Sequence, residues 1–120
     1  MKPRFLALAR TMALSSTDRV TIGAVITRKN RVLGGGQNKM GKTSPFSKNP
    51  YKALHAETAA VLSTHRRDLK GATIYVYRVL KSGDSGCARP CMWCTAMLVE
   101  AGVKDCFYTD ENGGLGYVRF

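Results

Sequence analysis

Two short segments that stand far apart in the sequence carry side chains that bind transition metals. The first is His55-Ala56-Glu57, and the second is Pro90-Cys91-Met92-Trp93-Cys94. Cys91 and Cys94 are spaced i and i+3, so they can fall on one face of the first turn of a helix. With His55 as a third ligand, the fold must bring the two segments together at one point.

Glu57 follows the histidine by two residues, so its carboxyl group is expected beside the metal. A carboxylate there can accept and return the protons of a water molecule held by zinc without being a ligand itself. Three protein ligands leave the fourth position of a tetrahedral zinc ion open. The pattern therefore predicts a catalytic zinc site rather than a structural one.

The combination of His-x-Glu with Pro-Cys-x-x-Cys resembles the signature of the zinc deaminases of nucleobases. Further upstream, the segments Ser15-Ser16-Thr17-Asp18, Gly23-Ala24-Val25-Ile26 and Gly36-Gln37-Asn38 resemble the front half of the deoxycytidylate (dCMP) deaminases. The similar stretches cover roughly residues 5 to 120. The resemblance implies a cytidine deaminase-like α/β fold, a three-layer α/β/α sandwich with a mixed five-stranded central sheet.

The resemblance also implies a reaction, the hydrolytic deamination of cytosine in a free nucleotide. The expected substrate is dCMP, with CMP and deoxycytidine as further candidates, in pyrimidine salvage. Zinc held by His55, Cys91 and Cys94 would activate a water molecule for attack on C4 of the ring. Glu57 would carry the proton of that water to ring N3 and later help to protonate the departing ammonia.

Three further residues are expected to contact the substrate. In the similar families an asparagine at the position of Asn38 lies near the substrate sugar, where its amide can donate and accept hydrogen bonds together. Ala56 lies between the histidine ligand and the catalytic carboxyl group. Arg89 directly precedes the cysteine segment and could hold a phosphate group, as could Arg78 and Lys81.

Two other functions remain open. The tRNA adenosine deaminases share the His-Ala-Glu and Pro-Cys-x-x-Cys pattern, so the substrate could be a cytosine or adenine base within single-stranded DNA or RNA. The formal net charge of +11 fits this alternative, because phosphate contacts dominate the affinity for nucleic acid. The other alternative is a zinc-stabilised module that binds nucleic acid without turnover, in which Glu57 is only a carboxylate at the start of a helix.

The chain has two more cysteines. Cys106 lies in a predicted strand and is expected to be a small buried hydrophobic residue. Cys87 stands four residues before Cys91 and could replace it as a ligand, although it precedes the proline and does not lie on the helix. An iron–sulfur site built from three cysteines would leave His55 and Glu57 without a role.

The composition predicts a single globular domain that covers residues 1–120. Hydrophobic residues make up 44% of the chain, enough for one core and too many for long disorder. The apolar run Phe5–Ala9 is ended by Arg10, so it is too short for a signal peptide, and no stretch approaches a membrane span. We therefore expect a cytoplasmic protein with reduced cysteines and, as is common in the similar families, a homo-oligomer.

The pattern of apolar residues predicts the order helix, strand, strand, helix, strand, helix, strand. Because helices join the last three strands, neighbouring strands there are expected to run parallel. Gly34-Gly35-Gly36 is expected to end the second strand or to form a bulge. The lysine-rich stretch from Gln37 to Tyr51 is expected to be a rim for an anionic substrate or an exposed connection. The predicted elements are a helix at 3–15, strands at 20–27 and 31–33, a helix at 54–66, a strand at 72–77, a helix at 91–101 and a strand at 103–109, and Gly116–Phe120 resembles a C-terminal strand of the dCMP deaminases.

Overall fold

The computed structural model describes residues 2–16, 21–40 and 53–120 of the chain. Most of the lysine-rich stretch expected beside the site lies outside the described residues. The elements in the described ranges are α1 (Pro3–Leu14), β1 (Thr21–Arg28), β2 (Arg31–Gln37), β3 (Lys39–Met40), β4 (Ala53–Leu54), α2 (Ala56–Ser63), β5 (Thr73–Val79), β6 (Ser85–Gly86), α3 (Met92–Ala101), β7 (Asp105–Thr109) and β8 (Leu115–Arg119).

The main sheet has the strand order β2-β1-β5-β7-β8, and the two-residue strand β6 pairs with β5 outside that row. β1 runs antiparallel to both β2 and β5, β5 runs parallel to β7, and β8 returns antiparallel to β7. The mixed sheet with five main strands is therefore the one that the sequence predicts. β3 and β4 form a separate two-stranded pair.

The prediction of parallel neighbours is confirmed for β5 and β7, which α3 joins. β2 and β5 also run in the same direction, because each is antiparallel to β1, but they are not neighbours, and that part of the prediction is wrong. β5 lies beside β1 and runs antiparallel to it. The physical reason is the burial of β1, whose residues from Gly23 to Thr27 are all buried. A strand of that kind belongs inside a sheet with a neighbour on each edge. β2 has only Gly36 buried and forms the edge of the sheet.

Helices cover both faces of the sheet, as the three-layer prediction requires. On one face α1 packs Phe5 and Ala9 against Val25 and Tyr75. On the other face α2 and α3 close the main core, which contains many alanines. Its buried residues are Ala24, Ile26, Ala56, Ala60, Leu69, Ala72, Ile74, Val76, Ala88, Leu98, Val103, Cys106 and Tyr108.

The glycine triplet at 34–36 lies inside β2, whereas the prediction ends the strand just before it. A Cβ on Gly36 would lie 2.5 Å from the Cβ of Ala59 and 2.6 Å from the backbone nitrogen of Ala60, both in α2. The triplet therefore lets the helix approach the strand and does not end it. The expected bulge does not fall in the triplet, whose three residues pair regularly with Ala24, Val25 and Ile26. The register shifts just before it, after Ile26, where Leu33 is the extra residue.

α2 is shorter than the helix predicted at 54–66. The hydroxyl groups of Ser63 and Thr64 both donate to the carbonyl oxygen of Ala60, at 2.8 and 2.9 Å, and Thr64 takes an extended backbone conformation. Side chains that bond to helix carbonyls compete with the next turn of backbone. The helix therefore ends at Ser63, and residues 66–68 form a separate 3-10 turn.

The C-terminal strand is confirmed, and a tight turn joins it to β7. The carboxylate of Asp110 accepts hydrogen bonds from the backbone N–H groups of Asn112 and Gly114, at 2.9 and 2.7 Å. This turn lets β8 pair directly with β7 along its whole length. Within 2–16, 21–40 and 53–120, no helix has the length and apolar character needed to cross a membrane.

Candidate active site

The two metal-binding segments meet at the N-terminal ends of two helices. His55 is the residue directly before α2, Cys91 has the same position before α3, and Cys94 lies in the first turn of α3. The Nδ1 atom of His55 lies 3.2 Å from Sγ of Cys94 and 3.7 Å from Sγ of Cys91. The structure thus brings together the three residues that the sequence indicates as ligands.

The arrangement fits a tetrahedral zinc ion. The three ligand atoms all lie within 4.8 Å of one another. With Zn–S bonds of about 2.3 Å and Zn–N bonds of about 2.0 Å, the ligand atoms of such an ion lie roughly 3.5 to 3.8 Å apart. Among the residues that the structure describes, no fourth histidine, cysteine or carboxylate joins the group. A zinc ion held by these residues would have a coordination position for water.

Burial controls the ionisation of the cysteine inside the group. Cys94 is 3% exposed, and burial raises the pKa of its thiol well above the ordinary value, assisted by the charges of Glu57 and Cys91. A cation at Sγ would oppose this rise, because coordination stabilises the thiolate. Metal binding at this site is therefore coupled to the release of a proton.

Glu57 is the buried acid next to the ligands. It lies in the first turn of α2 and is only 5% exposed. Burial raises the pKa of its carboxyl group, while a hydrogen bond to its own backbone amide, the charge of His55 and a hydrogen bond with Cys94 oppose the rise. A carboxyl group whose pKa moves toward the working pH can both accept and return a proton.

The residues expected to contact the substrate lie in three different parts of the fold. Ala56 is the first residue of α2 and is buried in the main core. Arg89 is exposed, two residues before the first cysteine ligand, and its guanidinium carbon lies 5.9 Å from the ring centre of Tyr108. Asn38 follows β2, where its side-chain oxygen accepts a hydrogen bond from the backbone N–H of Ile22 at 2.9 Å. Their contact with a substrate stays a prediction.

The other cysteines and the second histidine lie outside the ligand group. Cys87 is exposed, so the alternative in which it replaces Cys91 is not the arrangement in the structure. Cys106 is fully buried, as predicted, and burial together with the charge of Glu57 raises the pKa of its thiol to about 12. His65 is exposed after the end of α2.

Thr109 is a residue near the site that the sequence pattern does not indicate. It ends β7, is 3% exposed, and donates its hydroxyl proton to the carbonyl oxygen of Gly86 in the segment that leads to α3. A single threonine at a strand end has no sequence signature that distinguishes this role. Only the fold reveals the contact.

Residues 2–110 match the family model described as the cytidine and deoxycytidylate deaminase zinc-binding region. The chain belongs to this family. It is therefore a zinc-dependent deaminase, and the three residues that meet at the helix ends are the ones that could hold the metal.

Individual members of the family resemble the chain over most of its length. It is 29% identical to a deoxycytidylate deaminase of Mycobacterium phage D29, over 90% of this chain and 93% of the phage protein. Its fold matches the dCMP deaminase of cyanophage S-TIM5 in apo form with a TM-score of 0.65 and 26% identity, over 94% of this chain and 89% of that chain. It also matches a chain from a structural study of A-to-I editing by tRNA:A34 deaminases, with a TM-score of 0.62 and 26% identity, over 93% and 80% of the two chains. The predicted cytidine deaminase-like fold is confirmed.

Replacing Cys94 by serine is expected to abolish zinc binding. The change removes the sulfur that lies 3.2 Å from Nδ1 of His55, and a hydroxyl group is a much poorer zinc ligand than a thiolate. The wild-type protein should retain about one zinc ion per chain after dialysis. Metal content by atomic absorption measures this. A chelator should lower the melting temperature of the wild-type protein and leave that of Cys94→Ser unchanged.

Cys87→Ser is the matched control for this experiment. Cys87 is exposed and precedes the same helix, but it does not belong to the ligand group. The control variant should keep its zinc and its sensitivity to the chelator. Loss of zinc from Cys87→Ser together with its retention in Cys94→Ser would reject this ligand set.

Proposed function

We propose that this protein deaminates the cytosine of a free deoxycytidine nucleotide, dCMP, with residues 1–120 acting as one deaminase domain. The observation that carries the proposal is the buried carboxyl group of Glu57 beside the group of three ligands. Burying an acid is unfavourable, and groups with pKa values shifted by burial are concentrated at functional sites. A proton carrier next to a metal-activated water is what hydrolytic deamination requires.

Each residue of the site has a chemical part in this reaction. The zinc ion would be held by His55, Cys91 and Cys94. When bound, it would act as a Lewis acid that lowers the pKa of a water molecule. Glu57 accepts a proton from the attacking water and delivers it to N3 of the ring as C4 becomes tetrahedral. It then carries the remaining proton of the new hydroxyl group to the amino group. The amino group leaves as ammonia while C4 becomes a carbonyl carbon.

Similar proteins and the position of one arginine support a free nucleotide as the substrate. The proteins of phage D29 and cyanophage S-TIM5 are named deoxycytidylate and dCMP deaminases. Arg89 is exposed next to the start of α3, and a guanidinium group can bind a phosphate through two parallel hydrogen bonds. We assign Asn38 and Ala56 to the same substrate-binding set.

An ammonia-release assay tests the proposal. The zinc-loaded protein is incubated separately with dCMP, CMP, deoxycytidine and short single strands that contain cytosine or adenine. We expect turnover of dCMP and little or none of the strands. Absence of turnover on all three free substrates, with turnover on a strand, would reject the proposed substrate.

A base within nucleic acid is the second candidate substrate. The formal net charge of +11 and the likeness to the chain from the tRNA:A34 deaminase study favour it. Binding to a polynucleotide releases counterions, so activity on a strand would fall steeply between about 50 and 200 mM salt. Turnover of dCMP alone, with weak dependence on salt, would exclude this candidate.

Arg89→Ala is expected to raise the KM for dCMP by about 10-fold, because a hydrogen bond between charged groups is lost at an exposed position. Deoxycytidine has no phosphate group, so its kcat/KM should not change. Steady-state kinetics with both substrates measures the difference. Equal losses with dCMP and deoxycytidine would show that Arg89 acts on the structure of the site and not on the phosphate.

Lys104→Ala is the matched control for the charge. Lys104 is also exposed, and it directly precedes β7, at the end of that strand opposite Thr109. The substitution removes one positive charge at a position that is not beside α3. Its KM for dCMP should stay at the wild-type value. A similar rise in both variants would assign the effect to net charge and not to a phosphate contact.

We also propose that the protein is a homo-oligomer of the cytoplasm. α3 exposes Met92, Trp93 and Val99, with 75% of Met92 accessible. Large apolar side chains grouped on one helix are often covered by a partner chain. The four cysteines are unpaired, which suits a reducing compartment.

A further inference from the structure

We infer that Thr109 is a positioning residue for the metal site, because it holds the segment Gly86–Ala88 that leads to the ligand Cys91. Outside the strand ladder, the hydrogen bonds of Thr109 join it to Gly86, Ala88 and Arg78. It acts through the chain that delivers Cys91 to the site. The inference concerns how the zinc site is built. It rests on the proposed function only in that the site is taken to be the one that deaminates the substrate.

Thr109 makes contacts on both sides of Cys87. Its hydroxyl group donates to the carbonyl oxygen of Gly86 at 2.5 Å, and its own carbonyl oxygen accepts the N–H of Ala88 at 2.8 Å. The exposed Cys87 lies between these two bonds. Thr109, at the end of β7, therefore forms hydrogen bonds with two residues of the segment, Gly86 and Ala88.

The direction of the hydroxyl proton is determined by a third contact. The backbone N–H of Arg78 donates to Oγ1 of Thr109 at 3.2 Å, so the single proton of the hydroxyl group is left for Gly86. The regular pairing of β5 with β7 stops at Val76 and Tyr108. The threonine side chain thus continues the connection between the strands where the backbone ladder ends.

The segment has little freedom to find another position. A Cβ on Gly86 would lie 2.7 Å from Cδ2 of Leu80 and 3.2 Å from Cδ of Arg78, so its backbone lies close against these side chains. Ala88 is 3% exposed and belongs to the main core. β5 also holds Gly86 through its pairing with Arg78, so Thr109 fixes the segment from the side of β7.

Only two residues separate the segment from the metal ligand. They are Arg89 and Pro90, and the proline ring limits its own φ and the conformations of the residue before it. Cys91 is then followed by α3, whose first turn is bonded back through the N–H of Thr95 to the carbonyl oxygen of Cys91 at 2.8 Å. The position of the segment, which Thr109 holds, therefore restricts the position of Cys91.

The test compares the full chain carrying Thr109→Val with the chain carrying Thr109→Ser. Valine has the shape of threonine but leaves the N–H of Arg78 and the carbonyl oxygen of Gly86 without the hydroxyl partner. We expect Thr109→Val to weaken zinc binding by about 10-fold, the lower end of the range for groups that hydrogen-bond directly to a metal ligand, because Thr109 acts on Cys91 through the chain. Thr109→Ser keeps the hydroxyl group, so its zinc affinity should stay near that of the wild-type protein.

Two readouts report on the site without deamination. Competition with a chromophoric chelator gives the zinc dissociation constant, and the absorption bands of the cobalt-substituted protein report the thiolate ligands. Thr64→Val is the control, since it also removes a buried hydroxyl group, one that donates to Ala60 at the far end of α2. It should lower the melting temperature without changing the zinc affinity.

Wild-type zinc affinity and cobalt bands in Thr109→Val, with only a lower melting temperature, would overturn the inference. If Thr109→Val does not fold, Thr109→Ala is measured by the same criteria. Because neither readout uses a substrate, failure of dCMP turnover in the wild-type protein would reject the proposed substrate and leave this result unaffected.

Discussion

The Glu57→Gln variant is expected to bind zinc like the wild-type protein and to deaminate dCMP roughly a thousandfold more slowly, within the range found for lost acid–base catalysis. Glutamine has nearly the same size and keeps a hydrogen-bonding group beside Cys94. It cannot accept and return a proton at the working pH. Because burial raises the pKa of Glu57 and so disfavours its charged form, the neutral glutamine should not lower the melting temperature. Measurements of kcat and zinc content on the same preparation test both parts.

Glu100→Gln is the matched control for this variant. Glu100 lies on the exposed side of α3, and its replacement removes the same charge at a position outside the site. It should retain wild-type turnover. Near-normal activity of Glu57→Gln would remove the proton-carrier role, whereas loss of zinc from that variant would show that Glu57 contributes to metal binding.

Gly36→Ala is expected to destabilise the protein by about 1 to 3 kcal/mol, the usual cost of overpacking a filled core. In most strands the same change stabilises, because glycine loses more conformational freedom on folding. Here the added Cβ would lie 2.5 Å from the Cβ of Ala59 and 2.6 Å from the backbone nitrogen of Ala60. α2 must move, and it carries Glu57 in its first turn. Urea denaturation gives the free energy of unfolding, and turnover should fall with it.

Gly35→Ala is the control one residue away in the same strand. Its Cβ would meet the carbonyl oxygen of Ala24 at 3.3 Å and the flexible side chain of Met12 at 3.5 Å, and no atom of α2 is among its nearest contacts. The change in unfolding free energy should stay below about 1 kcal/mol, with normal turnover. Equal destabilisation of the two variants would locate the cost in β2 itself and not in its contact with the helix.

The metal-binding group could be predicted from the sequence because its chemistry is local to two short segments. Cys91 directly precedes α3 and Cys94 lies in its first turn, so once this helix forms, the i, i+3 spacing brings both sulfurs to its start. His55 and Glu57 are likewise held together by the start of α2. The meeting of the two helix ends does not follow from these spacings. It was predicted from the resemblance to the deaminases.

The neighbour of β5 and the end of α2 could not be predicted in the same way. Both edges of the β1–β2 hairpin were open to β5, and the choice depends on which strand is buried on both faces. The helix ends where the hydroxyl groups of Ser63 and Thr64 donate to the carbonyl oxygen of Ala60. These bonds stop the helix although good helix formers precede them. Thr109 is harder still, since its partners lie in segments distant in the sequence and are defined only once the strands pair.

The close contact between β2 and α2 has a consequence for how the substrate preference of such a protein can change. At Gly36 the two backbones are separated by little more than a hydrogen atom and the methyl group of Ala59, so there is no side chain to shorten in order to enlarge the site. Substitutions in this contact between β2 and α2 therefore cannot change the shape of the site in small steps. We expect new specificity to arise instead at exposed positions beside the site, such as the proposed phosphate-binding residue Arg89. In a laboratory selection for a new base, the productive substitutions belong to that outer set, and those in the helix–strand contact would be removed as folding defects.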